Sequence, residues 1–198
     1  MPTENPSEVF VRGDVIFNED FFTPYDWDNR VEGVVEIGVE DGAYRMRSNS
    51  TAYVRGFNSR VHEDVMIEVE TLQLTSHERN AYGIVCRAST SDTSSNGYYF
   101  LIGGDGSYSI RKGRGGNVEP LINWARTDAV NQGVARNVIR VLCVDNYLAL
   151  YINDEFVAET FDSSFRGGFM GFALATSEGT FTEVAFDNVT MWSARLEN

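Results

Sequence analysis

Between Asn80 and Asn153 the sequence breaks into five short runs of strand character separated by turn residues, and a cysteine stands near each end of the block. Tyr82-Gly-Ile-Val-Cys86-Arg-Ala is followed by Tyr98-Tyr-Phe-Leu-Ile102 and the turn Gly103-Gly-Asp-Gly106. Ser107-Tyr-Ser-Ile-Arg111, Val138-Ile-Arg-Val-Leu-Cys143-Val and Leu148-Ala-Leu-Tyr-Ile152 complete the set. Short runs rich in Val, Ile, Tyr and Phe and bounded by Gly, Asp and Asn are strand signals. With no long apolar stripe at helical spacing anywhere in the chain, they commit it to an all-β fold.

The flanks extend the pattern. Val15-Ile-Phe17 leading to Asp20-Phe-Phe22 reads as a first strand, and Val34-Val-Glu-Ile-Gly-Val39, Asp41-Gly42 and Ala43-Tyr-Arg-Met-Arg47 as a hairpin. Asp-Gly supplies the positive φ that a tight reversal needs. Thr51-Ala-Tyr-Val54 reads as a short strand, and Val65 to Leu72 alternates Val65, Ile67 and Val69 against Met66, Glu68 and Glu70. Further strand signals fall at Glu155–Thr160, Gly168–Ala175 and Phe181–Trp192. About a dozen strands in one chain are most economically arranged as two antiparallel sheets packed face to face. The longest interruption, Gly113 to Asn137, holds Trp124 and has room for a strand at Pro120-Leu-Ile-Asn-Trp124.

No linker, low-complexity tract or repeat divides the 198 residues, so the expectation is a polar extension over 1–12 and one β-sandwich domain over 13–198. A net charge of −13 disfavours nucleic acid and anionic membranes as partners. No apolar run approaches the roughly 20 residues of a membrane-spanning helix, so no membrane insertion is expected. The opening Met1-Pro-Thr-Glu-Asn-Pro-Ser7 lacks the basic and apolar regions of a signal peptide; it suits a mature domain cut from an export signal, and an extracellular or cell-surface location is expected.

Asp20-Phe-Phe22, Asp41-Gly-Ala-Tyr-Arg45, Tyr82-Gly-Ile-Val-Cys-Arg87, Tyr99-Phe-Leu-Ile-Gly-Gly-Asp-Gly106, Leu150-Tyr-Ile-Asn153 and Phe186-Asp-Asn-Val189 together resemble the concanavalin A-like jelly roll. Within it the chain is similar to bacterial laminin-G-like domains and to the three-keto-disaccharide hydrolase domain. The resemblance spans nearly the whole chain and is carried by turns and strand edges. It implies a jelly-roll sandwich and three functional classes: a non-catalytic module binding carbohydrate or another cell-surface ligand, a self-associating structural subunit, and a hydrolase or lyase acting on keto-sugar glycosides. In the hydrolase group an Arg follows the strand equivalent to Tyr82–Cys86, and Arg87 matches it, although Asn80-Ala-Tyr82 replaces the small polar residues that precede it there. The resemblance also implies one structural Ca²⁺ where the first and last strands meet, with Asp187 at an acidic position used this way and Asp20 close by, the alternative being ordinary turn or strand-end aspartates.

Alternation points Ile84, Cys86, Ile139, Val141 and Cys143 inward. Cys86 and Cys143 then form a disulfide if their strands lie side by side, or remain two buried thiols; a bridge closing so long a loop adds about 4 kcal/mol. The same alternation points Arg87, Tyr99, Arg140 and Tyr151 outward, with Arg111 joining them and Trp124 as a wall. Aromatic faces and guanidinium donors in that combination suit a sugar-binding surface, the alternative being an ordinary covered sheet. Neither His62 nor His77 has a triad spacing, and Glu68 with Glu70 lacks the third carboxylate of the family 16 glucanase motif.

Overall fold

The computed structural model describes residues 5–24, 26–89 and 94–197, and among them the chain forms fifteen β-strands. A nine-stranded sheet runs in the order β13 (Glu155–Phe161), β12 (Tyr147–Ile152), β11 (Arg136–Val144), β6 (Val65–Gln73), β15 (Thr182–Leu196), β4 (Ala43–Ser48), β3 (Val35–Glu40), β2 (Arg30–Glu32). Its ninth strand, β1 (Phe10–Glu19), pairs with the second half of β15 and takes in the last three residues of segment 1–12. A six-stranded sheet runs β10 (Asn117–Arg126), β9 (Ser107–Arg114), β8 (Gly97–Ile102), β7 (Asn80–Ala88), β14 (Gly168–Thr176), β5 (Val54–His62). Every pairing is antiparallel.

Tight turns set the register. Glu40 pairs with Ala43 across Asp41 and Gly42, both at positive φ (54° and 73°), the conformation whose twist matches that of the flanking strands. Asn153 and Asp154 do the same between β12 and β13. The strand expected at Thr51–Val54 instead begins at Val54 and continues to His62. The long loop expected between Gly113 and Asn137 is shorter, because the ten residues of β10 fall within it and zip onto β9 from Asn117 to Arg126. Two register shifts and Pro120 erase its period-2 signal; a proline without an N–H is tolerated there because β10 is an edge strand.

The core lies between the sheets. Val65, Ile67, Val69, Ile84, Phe100, Ile139 and Val141 point into it as alternation requires. Phe172 of the six-stranded sheet stacks on Phe186 of the nine-stranded sheet, centroids 4.1 Å apart and 9° from parallel, with Trp27 stacked on the other face of Phe172. Each such side chain, fully buried, contributes about 1.5–3 kcal/mol.

Cys86 and Cys143 form the disulfide, but not between neighbouring strands. β7 and β11 belong to opposite sheets, so the bridge crosses the core with its Cα atoms 6.9 Å apart. Two inward-facing positions can meet this way only when the sheets face each other there.

Candidate functional site

The outer face of the six-stranded sheet carries a groove of about 360 Å³. Ala81, Val85, Leu101 and Ala173 form an apolar layer with Tyr99 on this face, and Tyr53 and Val118 pack against it. Tyr99 of β8 stands on this layer with its ring 5.6 Å from that of Tyr53, tilted by 45°, and donates its hydroxyl proton to the Ser95 carbonyl at 2.7 Å. Arg55 of β5 closes one side, donating to the Ser94 carbonyl and lying over the Phe57 ring. Gly116, Asn117 and Val118 close the other. That wall depends on Gly113, because a Cβ there would lie 1.7 Å from the Ser95 carbonyl oxygen. Ser95 in turn donates its backbone N–H to the Gly115 carbonyl at 2.8 Å.

Arg111 of β9 is paired in register with Tyr99 and donates to the Val118 carbonyl at 3.2 Å. Its Nε is buried without a partner among the described residues. Burial raises the pKa of the Tyr53 hydroxyl and the charge of Arg111 works against that rise; Arg55 has the same opposing influence at Tyr99, by charge and by hydrogen bond. Both phenols stay protonated at neutral pH and both sense a guanidinium.

The residues expected to share one surface are divided among three places. Tyr99 lines the groove, and Arg111, its register partner, is not part of the lining. Trp124 lies on edge strand β10 of the same sheet, 41% exposed, and is not part of the groove lining. Arg140 and Tyr151 face outward from the nine-stranded sheet, on the opposite side of the molecule, so they cannot complete the same site. There Arg140 is held by Glu68 at 2.6 Å and Asp154 at 2.5 Å, and Tyr151 packs on Phe156.

Arg87 is the clearest correction: it is 3% exposed and points inward. A bulge sets Cys86 and Arg87 against Met170 alone, and Arg87 has φ of 50°, so the alternation that predicts an outward arginine fails at that residue. Its guanidinium donates to the carbonyls of Glu63, Asp145, Phe165 and Cys143 and to Asp64 Oδ1, at 2.7–3.2 Å. A guanidinium has five N–H groups, and all five are spent. Burial lowers the Arg87 pKa, with Asp64 acting the other way.

The remaining chemistry is local. Asp20 accepts from the Phe22 N–H, and Asp187, at a register shift within β15, accepts from the Asn188 N–H. Among the described residues no group of three His, Cys, Asp or Glu side chains could hold a metal ion. His77 Nε2 lies 3.0 Å from Ser177 Oγ but also 2.9 Å from the Arg79 carbonyl, which can only accept. The ring nitrogen therefore carries the proton and cannot take one from the serine. Sequence reasoning missed Tyr53, Arg55, Ser95 and Asn117. The Gly115-Gly116 reversal and the outward Arg55 and Phe57 of an alternating strand are the signals that mark them.

No family model and no curated protein matches the sequence. Solved structures do resemble it. Carbohydrate-binding module CBM66 from Bacillus subtilis aligns with a TM-score of 0.69 at 19% identity, covering 85% of this chain and 96% of that one. A Bacillus subtilis protein of unknown function with a galectin-like fold aligns with a TM-score of 0.65 at 13% identity, over 94% and 99% of the two chains. The Bacillus licheniformis beta-glucanase gives 0.64 at 12% identity, over 91% and 98%. At such identities the likeness speaks for the fold alone, and with the two antiparallel sheets it shows a β-sandwich of the concanavalin A-like jelly-roll fold.

Proposed function

We propose that the chain is an exported, non-catalytic carbohydrate-binding module whose ligand lies in the groove on the outer face of the six-stranded sheet. The groove carries the reading: a volume of about 360 Å³ lined by Tyr53, Tyr99, Arg55 and Asn117. That size is within the range of small-molecule sites. The Tyr53 ring offers an apolar face to the C–H face of a sugar, with the fully buried Tyr99 packed against it, and guanidinium and amide groups offer donors to its oxygens. The carbohydrate-binding module and the beta-glucanase among the structural neighbours support carbohydrate as the ligand class. The disulfide supports export, since such bridges persist in oxidising compartments.

A binding role is favoured over turnover because glycoside hydrolysis needs two carboxyl groups flanking the scissile bond, and no Asp, Glu or His lines the groove among the described residues. Arg87, on which the hydrolase reading turned, has no N–H left for a substrate. The test is a glycan array followed by calorimetry on the hits. Tyr53→Ala and Asn117→Ala are expected to abolish binding while leaving the melting temperature in place. A folded protein that binds no glycan overturns the proposal.

A further inference from the structure

We infer that Ser95 is a specificity-determining residue of the groove: its hydroxyl oxygen accepts a hydrogen bond from a hydroxyl of a neutral sugar, so the site takes sugars that donate a proton there and rejects analogues that can only accept. The inference rests on the groove being the glycan site. Ser95 lines the groove and is partly exposed. Its Oγ lies 2.6 Å from the Gly115 carbonyl oxygen and 3.0 Å from that of Asn117. A carbonyl oxygen can only accept, so the one hydroxyl proton of Ser95 is committed to this pair. What remains on Oγ is lone-pair capacity, and towards a ligand the oxygen is an acceptor alone.

The surrounding bonds fix that arrangement. The Ser95 N–H also donates to the Gly115 carbonyl at 2.8 Å and the Gly115 N–H donates to Asn96 Oδ1 at 2.8 Å, so residues 95 and 96 clasp the tip of the β9–β10 hairpin. Turning the Ser95 hydroxyl to donate to a ligand would give up both of its carbonyl contacts. Tyr99 offers no competing handle, because it is buried and its hydroxyl donates to the Ser95 carbonyl at 2.7 Å. Asn117, exposed and also part of the lining, carries both a donor and an acceptor on its side-chain amide. A sugar hydroxyl carries both as well, so neighbouring hydroxyls on one ring satisfy the Ser95 oxygen and the Asn117 amide together, while the Tyr53 ring takes an apolar face.

The experiment titrates the whole protein by calorimetry with the methyl glycosides of glucose, galactose, mannose and xylose, each beside its monodeoxyfluoro forms. Fluorine is close to a hydroxyl in size and cannot donate. At one ring position the fluorinated form is expected to bind about fivefold to tenfold more weakly, the scale of one hydrogen bond. In Ser95→Ala that penalty is expected to disappear, whereas a residue that only held the wall would weaken the parent and fluorinated sugars alike. If Ser95→Ala fails to fold, Ser95→Cys takes its place, since a thiol is a weak acceptor. Binding with no penalised position, or a penalty that survives the substitution, overturns the role of Ser95 and leaves the glycan reading standing. Hits on a general glycan array without binding of any of these glycosides do the same. No binding in either format removes both.

Discussion

The two outer faces of the sandwich use arginine in opposite ways. On the nine-stranded sheet, Arg45 and Arg47 are ringed by Glu36, Glu40, Asp41 and Glu183, and Arg140 sits between Glu68 and Asp154, so positive charge is neutralised in place. On the six-stranded sheet, Arg111 is held by the Val118 carbonyl, which orients a guanidinium without cancelling its charge, and it makes no ion pair among the described residues. A carbonyl-held arginine keeps its attraction for a passing anion; a carboxylate-held one has already satisfied it. Partners, more than exposure, separate a binding face from a stabilised surface.

The largest effect is expected from the arginine that belongs to neither face. Arg87→Ala strips several buried carbonyls of their donor and should cost about 3–5 kcal/mol, seen as a urea midpoint far below that of any face variant. Next comes the bridge: Cys86→Ala with Cys143→Ala should cost about 2–5 kcal/mol by the same measurement. Neither change touches the groove, so any protein that remains folded should still bind.

An intermediate effect separates the faces by pH. The Asp162 carboxyl, which links the sheets through Lys112 and Tyr98, lies well below the usual carboxylate range. Burial alone would raise it, and hydrogen bonds from Lys112, Ser164 and Tyr98 outweigh that. A depressed pKa adds stability above the unfolded value of about 4 and loses it as the pH falls towards the folded one. Urea midpoints taken through that acid range should therefore fall less steeply in Asp162→Asn than in the parent. The smallest effect belongs to the neutralised face, where Glu68→Gln should change stability by only about 0.2–1 kcal/mol. Arg140→Gln, unlike Arg55→Gln, should leave glycan binding unchanged. If it weakens binding, the distinction between the faces is lost.

Much of this architecture is legible in the residues. Period-2 alternation places Ile84, Cys86, Ile139, Val141 and Cys143 in the core, and Asp41-Gly42 marks a real two-residue turn. Alternation says which side of its own strand a residue occupies and is silent on which sheet the strand joins. For that reason Arg140 and Tyr151 look like neighbours of Tyr99 in the sequence and are on the far side of the protein. It also fails wherever a bulge inserts a residue, which is the history of Arg87. The groove walls come from Tyr53, Ser95 and Asn117, which meet only after the sheet has formed and leave no mark at fixed spacing.

Cys86 and Arg87 are consecutive, yet both fasten β7 to the same hairpin of the opposing sheet, one covalently through Cys143 and one through the carbonyls of Cys143 and Asp145. Such a duplicated fastening gives the domain a fallback. Cleaved by a reductant, or made in a cytoplasm where the bridge does not form, the two sheets are still tied at that corner by a side chain no redox chemistry can undo.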